Sequence, residues 1–318
     1  MNNWTNTALL FPGQGSQEVG MGADLAQAYP AAREIFEQAD DILDEHFSRL
    51  CWEGPAEALN DTYNTQPALY ITSMATLRAL EAAIGPVRPA AVAGHSLGEI
   101  TALAAAGALS FADGLRLVRE RGRLMKLAGE RQPGAMAAIL GLEAEEVRAV
   151  CARASQETGQ PLVLANDNCP GQVVISGDIA ALERGMALAT AAGAKRVVRL
   201  EVSIASHSPL MASVAAEFRA AVEATPLREP IVPVIGNISA APLTDIAAIR
   251  QELGAQLTSP VRWTESMAYL LANGVNRFVE VGSKDVLSGL IRRISRDAAR
   301  VTLNSAQALA EFAAASAL

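Results

Sequence analysis

The chain has 318 residues, of which 50% are hydrophobic and 19% are charged, and this composition can bury a large core. It therefore excludes a largely disordered protein. The formal net charge of −8 and the 4% share of aromatic residues also argue against a nucleic-acid partner, because a basic field and stacking side chains are both lacking.

The hydrophobic runs and the cysteines predict the cellular compartment. No apolar run reaches the roughly 18 residues that a membrane-spanning helix needs, so no membrane partner is expected. The residues before the first apolar run carry no basic or long apolar segment, so no signal peptide is expected. Three widely spaced cysteines, Cys51, Cys151 and Cys169, fit neither a disulfide framework nor a zinc site. We therefore predict a cytoplasmic protein with reduced thiols and no metal.

Short apolar runs alternate with helical stretches in the first part of the chain. The run at 7–11 is stopped by Pro12-Gly13-Gln14-Gly15, which predicts a buried strand and a Gly-rich turn. The next predicted elements are, in chain order, helices over 23–47 and 66–84, a strand over 89–94, and helices over 99–108 and 113–127. Single strands that alternate with helices predict a mostly parallel α/β sheet.

The middle of the chain follows a different order: strand, helix, two strands, helix and strand. The predicted bounds are 135–140, 143–155, 161–166, 172–176, 179–192 and 195–202. This is the ferredoxin-like order. We therefore predict an α/β domain formed by residues 1–130 and 204–318, with a small α+β domain of residues 131–203 inserted into it.

Residues 94–98, Gly-His-Ser-Leu-Gly, match the G-x-S-x-G pattern between a predicted strand and a predicted helix. In such a turn the serine adopts a strained backbone conformation and projects at the helix N-terminus, where developing negative charge is stabilised. The alternative is that Ser96 only caps the helix. Motif and context together favour a nucleophile.

A serine nucleophile needs a base, and the sequence has three histidines. His95 is adjacent to Ser96, but in a tight turn its side chain points away, which favours a structural role. His46 lies in a charged helical segment and is expected to be solvated. His207 lies where the chain leaves the inserted domain, a seam that favours functional residues. Elimination leaves His207 as the candidate base, with a non-catalytic histidine as the alternative.

Several motifs together resemble one family. Residues 94–99, Gly-His-Ser-Leu-Gly-Glu, and residues 11–17, Phe-Pro-Gly-Gln-Gly-Ser-Gln, are similar to the malonyl-CoA:acyl-carrier-protein transacylases of fatty acid synthesis and to polyketide synthase acyltransferase domains. Further similar blocks occur in the same order at 117–123, 165–174, 206–211, 256–263 and 280–282. The resemblance implies an α/β-hydrolase-like core with a parallel sheet plus an inserted ferredoxin-like α+β subdomain.

The resemblance also implies residue roles. Ser96 would be the nucleophile that becomes malonylated, and His207 the general base. Gln256 would support the site and help to hold His207, because in this family a backbone carbonyl there replaces the usual third carboxylate.

Substrate contacts follow from the same resemblance. Arg121 would bind the free malonyl carboxylate with charge-assisted hydrogen bonds. Gln14 and Leu97 would donate backbone N–H groups to the oxyanion. Without the resemblance, Arg121 could not be separated from the neighbouring arginines, Arg116, Arg119 and Arg123.

The implied reaction is ping-pong transfer of a malonyl group from malonyl-CoA to the phosphopantetheine thiol of holo acyl carrier protein, without a cofactor. We expect a monomer. Because carrier proteins are typically acidic, docking on this acidic chain would need a local basic patch. The candidates, each with solvated surface as the alternative, are Lys195, Arg196, Arg199, Arg292, Arg293 and Arg296.

Alternatives remain open at this point. Residues 204–207, Ile-Ala-Ser-His, resemble the methylmalonyl-type signature of polyketide acyltransferases but lack its tyrosine, and Ser206 leaves room for a methyl branch. The rival functions are a discrete polyketide acyltransferase for malonyl or methylmalonyl groups, the malonyl-transferring subunit of a malonate decarboxylase, a thioesterase or serine hydrolase, and a non-catalytic carrier-docking subunit.

Overall fold

The structure is a computed structural model that describes residues 4–316. Residues 1–3 and 317–318 lie outside the described residues. The predicted domain bounds include both segments, and the expectation of no signal peptide rests partly on residues 1–3. In the part described, no helix combines the length and the apolar character that crossing a membrane requires.

The strands and helices are numbered in chain order. The strands are β1 (Thr7–Phe11), β2 (Ala91–Gly94), β3 (Ala135–Leu140), β4 (Leu162–Cys169), β5 (Gln172–Gly177), β6 (Arg196–Arg199), β7 (Val234–Ile235), β8 (Pro242–Leu243), β9 (Arg277–Val281) and β10 (Ala299–Leu303). The helices are α1 (Ala23–Ala28), α2 (Pro30–Leu43), α3 (Phe47–Glu53), α4 (Ala56–Asn60), α5 (Thr62–Ile84), α6 (Gly98–Ala105), α7 (Phe111–Arg131), α8 (Ala144–Thr158), α9 (Ile179–Ala191), α10 (Ala212–Ala224), α11 (Ile246–Gln256), α12 (Trp263–Ala272), α13 (Val286–Ile294) and α14 (Ala306–Ser316).

The main sheet has the strand order β10-β9-β1-β2-β7-β8. Neighbouring strands in this sheet are parallel, except for the antiparallel pair of β7 and β8. All five residues of β1 are buried, as expected for a central strand whose two faces are covered. Phe11 pairs with Gly94, so the chain segments that follow β1 and β2 leave the sheet side by side. Ligands bind at this carboxyl edge in open α/β sheets.

The second sheet is antiparallel, with the strand order β4-β5-β3-β6. Along β3, Ala137 and Ile139 pack into a core that also contains residues of α8 and α9, while Met136 and Ala138 lie on the opposite face. This alternation is the period of two that a strand imposes. Together the two sheets confirm the predicted fold class, an α/β core with an inserted ferredoxin-like subdomain.

Backbone hydrogen bonds join β4 to the main core. The N–H of Asp167 donates to the carbonyl of Val261 at 2.9 Å, and the N–H of Val261 donates to the carbonyl of Ala165 at 2.8 Å. The chain enters the second sheet after α7 and leaves it after β6. We propose residues 131–203 as the inserted unit and residues 1–130 and 204–318 as the core, as the sequence predicts.

Candidate active site

Ser96 lies in a sharp turn between β2 and α6. Its φ of 53° is in the left-handed region, which is strained for a serine. The turn closes only because its flanks are glycines. A Cβ on Gly94 would lie 1.8 Å from the carbonyl oxygen of Gly98, and a Cβ on Gly98 would lie 2.1 Å from that of Phe11. This is the geometry of a nucleophile elbow.

His207 is the histidine that reaches the serine. Its Nε2 lies 2.8 Å from Ser96 Oγ. Its Nδ1 lies 3.0 Å from the backbone carbonyl oxygens of both Gln256 and Ser259. Because carbonyls only accept, the imidazole proton belongs on Nδ1, and Nε2 is free to accept from the serine hydroxyl.

The environment of His207 keeps its imidazole neutral. Burial lowers the pKa of His207 to about 3, and the positive charge of Arg121 adds to the effect, while the two carbonyl acceptors oppose it. At neutral pH the ring is therefore in its basic form. This is the protonation state that a general base needs before the reaction.

Arg121 reaches into the same site from α7, and its side chain is buried. Its guanidinium donates to Gln256 Oε1 at 3.0 Å, to Gln66 Oε1 at 2.7 Å and to Ser96 Oγ at 3.1 Å. Burial lowers the pKa of Arg121 to about 10, so the group stays charged at neutral pH. Within residues 4–316 it forms no ion pair. A buried cation with neutral acceptors beside a nucleophile is suited to bind an anionic substrate group.

The three neighbouring arginines on α7 point elsewhere. Arg116 pairs with Asp113, Arg119 with Glu45, and Arg123 with Glu120. Among the four arginines that the sequence alone could not separate, Arg121 is therefore the one whose guanidinium contacts the serine.

Gln14 and Leu97 flank Ser96 at the lining of a cavity. Gln14 lies in the turn after β1, where its side chain donates to Thr62 Oγ1 at 3.1 Å, and Leu97 directly follows the serine. In the described part of the chain, neither backbone N–H has a protein acceptor. Both donors are therefore available to a bound group.

The cavity has a volume of about 300 Å³ and lies between the two sheets. Its walls include Met136, Ala138 and Val174 of the second sheet and Leu290 of α13. Ser96, His207 and Arg121 also line it, whereas His46 is exposed at the start of α3 and does not. The combination is a largely apolar cleft with a few convergent polar groups.

Two asparagines hold the elbow, and the sequence did not reveal their roles. Asn237 Oδ1 accepts from the backbone N–H of Ser96 at 2.7 Å, and Asn237 Nδ2 donates to the carbonyl of Gly94 at 2.7 Å. Asn168 Oδ1 lies 2.8 Å from His95 Nε2. Asn168 lies in the 165–174 block that resembles the family, and this block could have indicated a role for it. No local motif marks Asn237.

Within residues 4–316, no cluster of three or more His, Cys, Asp or Glu residues is arranged to hold a metal ion.

Comparisons with known proteins point to one family. The acyl transferase domain family matches residues 8–308. A malonyl CoA-acyl carrier protein transacylase of Bacillus subtilis is 47% identical over 289 residues, which are 91% of this chain and 90% of that protein. The structure of a malonyl CoA-acyl carrier protein transacylase from Coxiella burnetii has a TM-score of 0.93 at 39% identity, covering 97% and 96% of the two chains. A malonyl-transacylase solved in complex with its type II polyketide synthase acyl-carrier protein has a TM-score of 0.94 at 40% identity, covering 97% and 99%.

Proposed function

The chain belongs to the acyl transferase domain family, and from this premise we propose that it transfers malonyl groups from malonyl-CoA to the phosphopantetheine thiol of holo acyl carrier protein, supplying fatty acid synthesis. The observation that carries the proposal is the buried Arg121 guanidinium, 3.1 Å from the Ser96 hydroxyl oxygen. It offers a charged partner to a free carboxylate on the acyl group that the serine receives.

In the first half-reaction, Ser96 Oγ attacks the thioester carbonyl of malonyl-CoA while His207 Nε2 takes the serine proton. The backbone N–H groups of Gln14 and Leu97 bind the oxyanion. Donors of this kind contribute roughly 3–4 kcal/mol each in a well-studied protease. The intermediate collapses, the carbon–sulfur bond breaks, and the coenzyme A thiolate takes the proton back from His207.

In the second half-reaction, the carrier's phosphopantetheine thiol gives its proton to His207 and attacks the malonyl ester. The carbon–oxygen bond breaks, and Ser96 regains its proton. Gln256 supports both steps, because its backbone carbonyl orients the His207 ring and its side chain contacts Arg121. Because coenzyme A leaves before the carrier thiol attacks the malonyl-serine ester, the mechanism is ping-pong.

The remaining properties follow from this chemistry. We propose that the residues named above suffice without a cofactor, and that the protein acts as a cytoplasmic monomer whose partners are malonyl-CoA and the carrier protein, not a membrane or a nucleic acid.

One rival has a specific observation in its favour. The similarity to a malonyl-transacylase solved with a type II polyketide synthase carrier supports the same chemistry with a different carrier. A simple hydrolase is disfavoured, because a buried guanidinium for the acyl carboxylate is not needed for hydrolysis.

Intact mass spectrometry tests the proposal. The protein is mixed with malonyl-CoA, acetyl-CoA or methylmalonyl-CoA, alongside Ser96→Ala, and holo carrier proteins of the fatty acid and type II polyketide classes are then added. We expect a malonyl adduct that Ser96→Ala lacks and that the fatty acid carrier discharges. Discharge to the polyketide carrier alone, a preference for methylmalonyl, or release of free malonate without a carrier would contradict the proposal.

A further inference from the structure

Glu99 is a fully buried carboxyl in the first turn of α6, three residues after the nucleophile. Its Oε1 accepts from the backbone N–H of Asn237 at 2.8 Å. Its Oε2 accepts a close hydrogen bond from Gln256 Nε2. The reaction steps above do not use Glu99, although both of its partners belong to the site.

Each partner leads to a different part of the catalytic machinery. Asn237 holds the elbow through the N–H of Ser96. Gln256 accepts from Arg121 Nε through its side-chain oxygen, and its backbone carbonyl lies against His207 Nδ1. Glu99 therefore connects Asn237, which holds the turn of Ser96, with Gln256, which contacts both His207 and Arg121.

The orientation of the Gln256 amide depends on Glu99. A guanidinium has only donors, so the side of the amide that faces Arg121 must be the oxygen. An amide can flip, and the flipped form would set its NH₂ against the Arg121 Nε–H. Glu99 disfavours this because its Oε2 accepts from Nε2 and so holds that nitrogen on the side away from Arg121. The carbonyl oxygen of Ser96, 3.1 Å from Nε2, favours the same orientation.

We propose that Glu99 is a positioning residue that fixes the Gln256 amide and thereby aims the Arg121 guanidinium at the malonyl carboxylate. The inference rests on the proposed function, because it concerns selection of a charged acyl group.

Glu252 provides a matched control for Glu99. Glu252 is a second buried carboxyl that acts electrostatically on Glu99, and it accepts from the backbone N–H groups of Ile238 at 2.5 Å and Ser239 at 3.3 Å. Burial and the neighbouring Glu252 raise the pKa of Glu99 well above its usual range. The carboxylate of Glu252 binds the 238–239 turn, whereas that of Glu99 binds the Gln256 amide.

The test compares Glu99→Gln with Glu252→Gln. For each variant, kcat/KM for acylation of Ser96 is measured with malonyl-CoA and with acetyl-CoA, together with the thermal midpoint. In Glu99→Gln one acceptor becomes a donor, and we expect kcat/KM to fall about tenfold for malonyl-CoA and to stay within about twofold for acetyl-CoA. Glu252→Gln is expected to keep the malonyl-to-acetyl ratio of the unsubstituted protein.

A second comparison tests the route through Gln256. In a Gln256→Met background the amide is absent, so adding Glu99→Gln should cost no further malonyl preference. A further loss of that preference in the double variant would show that Glu99 acts by another route and would overturn the inference.

The remaining outcomes are also decisive. An equal loss with both CoA esters would assign Glu99 a structural role and overturn the inference. If Glu99→Gln does not fold, Glu99→Asp, which keeps the carboxyl group but is one methylene shorter, is measured for the same selective loss. Failure of both variants to fold would overturn the positioning role as well. Absence of a malonyl adduct on the unsubstituted protein would instead contradict the proposed function, so the two failures are distinguishable.

Discussion

The Arg121 guanidinium donates hydrogen bonds to the side-chain amide oxygens of Gln256 and Gln66 and to the Ser96 hydroxyl. Two carboxamides and a hydroxyl solvate a cation without neutralising it, so the guanidinium remains able to pair with an incoming anion. An acetyl group brings no charge to this position. The site should therefore discriminate against acetyl by leaving a buried cation unpaired.

Replacement of Arg121 tests this discrimination. Arg121→Met removes the charge while keeping much of the volume, and we expect kcat/KM for malonyl-CoA to fall about 100-fold while acetyl-CoA is unaffected or improved. Acylation rates with both esters provide the measurement. Arg116→Met, on the exposed face of α7, is the control and should match the unsubstituted protein. An unchanged malonyl-to-acetyl ratio in Arg121→Met would contradict the assigned role.

The lowered pKa of His207 has a kinetic consequence. An ordinary histidine would be half protonated near pH 6.5, and a base with that pKa would lose activity there. Since the pKa of His207 is about 3, the neutral ring persists as the pH falls, and activity is lost only when the pH approaches that lower value. We expect kcat/KM for malonyl loading to stay flat from about pH 8 to about pH 5 in rapid-mixing assays.

Arg121 provides the control for this profile. Its positive charge helps to lower the pKa of His207, so Arg121→Met should raise that pKa and move the acid limb of acetyl loading to higher pH. An acid limb near pH 6.5 in the unsubstituted protein, unmoved by Arg121→Met, would contradict the account.

Local sequence singled out Ser96 more readily than the residues that surround it in the structure. Ser96 lies in a five-residue pattern with a strand before it and a helix after it. Elimination among three histidines left His207, whose Nε2 lies 2.8 Å from Ser96 Oγ, but only the family resemblance separated Arg121 from its neighbours. Asn237 lies 141 residues from Ser96 in the chain, and a local sequence pattern cannot predict a contact between residues so far apart. The supporting contacts are therefore products of the tertiary structure.

At the scale of the elements, β1 and β2 bring the Gly-rich turn and the elbow together. The helix after the elbow approaches β1 so closely that Gly98 has no room for a side chain. The same close approach sets the position of the Leu97 N–H beside the serine. The Gly98 contact is therefore expected to influence both stability and catalysis.

Gly98→Ala tests this close approach. The added Cβ would meet a backbone carbonyl at 2.1 Å, which cannot give way as a flexible side chain can, so α6 must shift. We expect acylation to fall more than about tenfold, with a stability loss of about 1–3 kcal/mol in denaturant unfolding. Gly289→Ala is the control, since a Cβ there has nothing within 4 Å and alanine favours the helix. Equal behaviour of the two variants would contradict the argument.

Periodicity predicted the longer elements well and the shorter ones poorly. The strand–helix order of the inserted unit followed from predicted segments of five or more residues. Strands β7 and β8 have two residues each, which is too short to show any periodicity. Strand β6 is half-exposed at the sheet edge and ends at Arg199, before the predicted end at Val202. Edge position and short length, not an unusual composition, explain these differences.

At the scale of the whole molecule, the cavity exists because the inserted unit is held against the core. The contacts that hold it include the backbone hydrogen bonds between β4 and Val261, the hydrogen bond from the Thr264 hydroxyl to Asp167, and the hydrogen bond between His95 and Asn168. The last of these joins the unit directly to the residue beside the nucleophile. Substrate affinity should therefore depend on contacts far from the serine.

Arg293 of α13 tests this dependence. Its guanidinium donates to Gln172 Oε1 at 2.6 Å and to the carbonyls of Pro170 and Gly171 at 3.0 and 3.2 Å, which ties the β4–β5 turn to the core. Because Gln172 lines the cavity, Arg293→Ala should loosen that wall. We expect faster amide hydrogen exchange in the turn and a KM for malonyl-CoA raised roughly threefold to tenfold, with kcat little changed.

Replacement of the neighbouring Arg292 distinguishes loss of the Arg293 hydrogen bonds from a general effect of removing a positive charge. It is exposed on the same turn of α13, so Arg292→Ala removes the same charge without breaking the three hydrogen bonds to the β4–β5 turn. We expect it to leave both the exchange rate of the turn and the KM for malonyl-CoA unchanged. If the two variants raised the KM equally, the effect would come from the long-range field on the anionic substrate. If only Arg293→Ala raised the KM, the hydrogen bonds between Arg293 and the β4–β5 turn would be what sets the shape of the cavity.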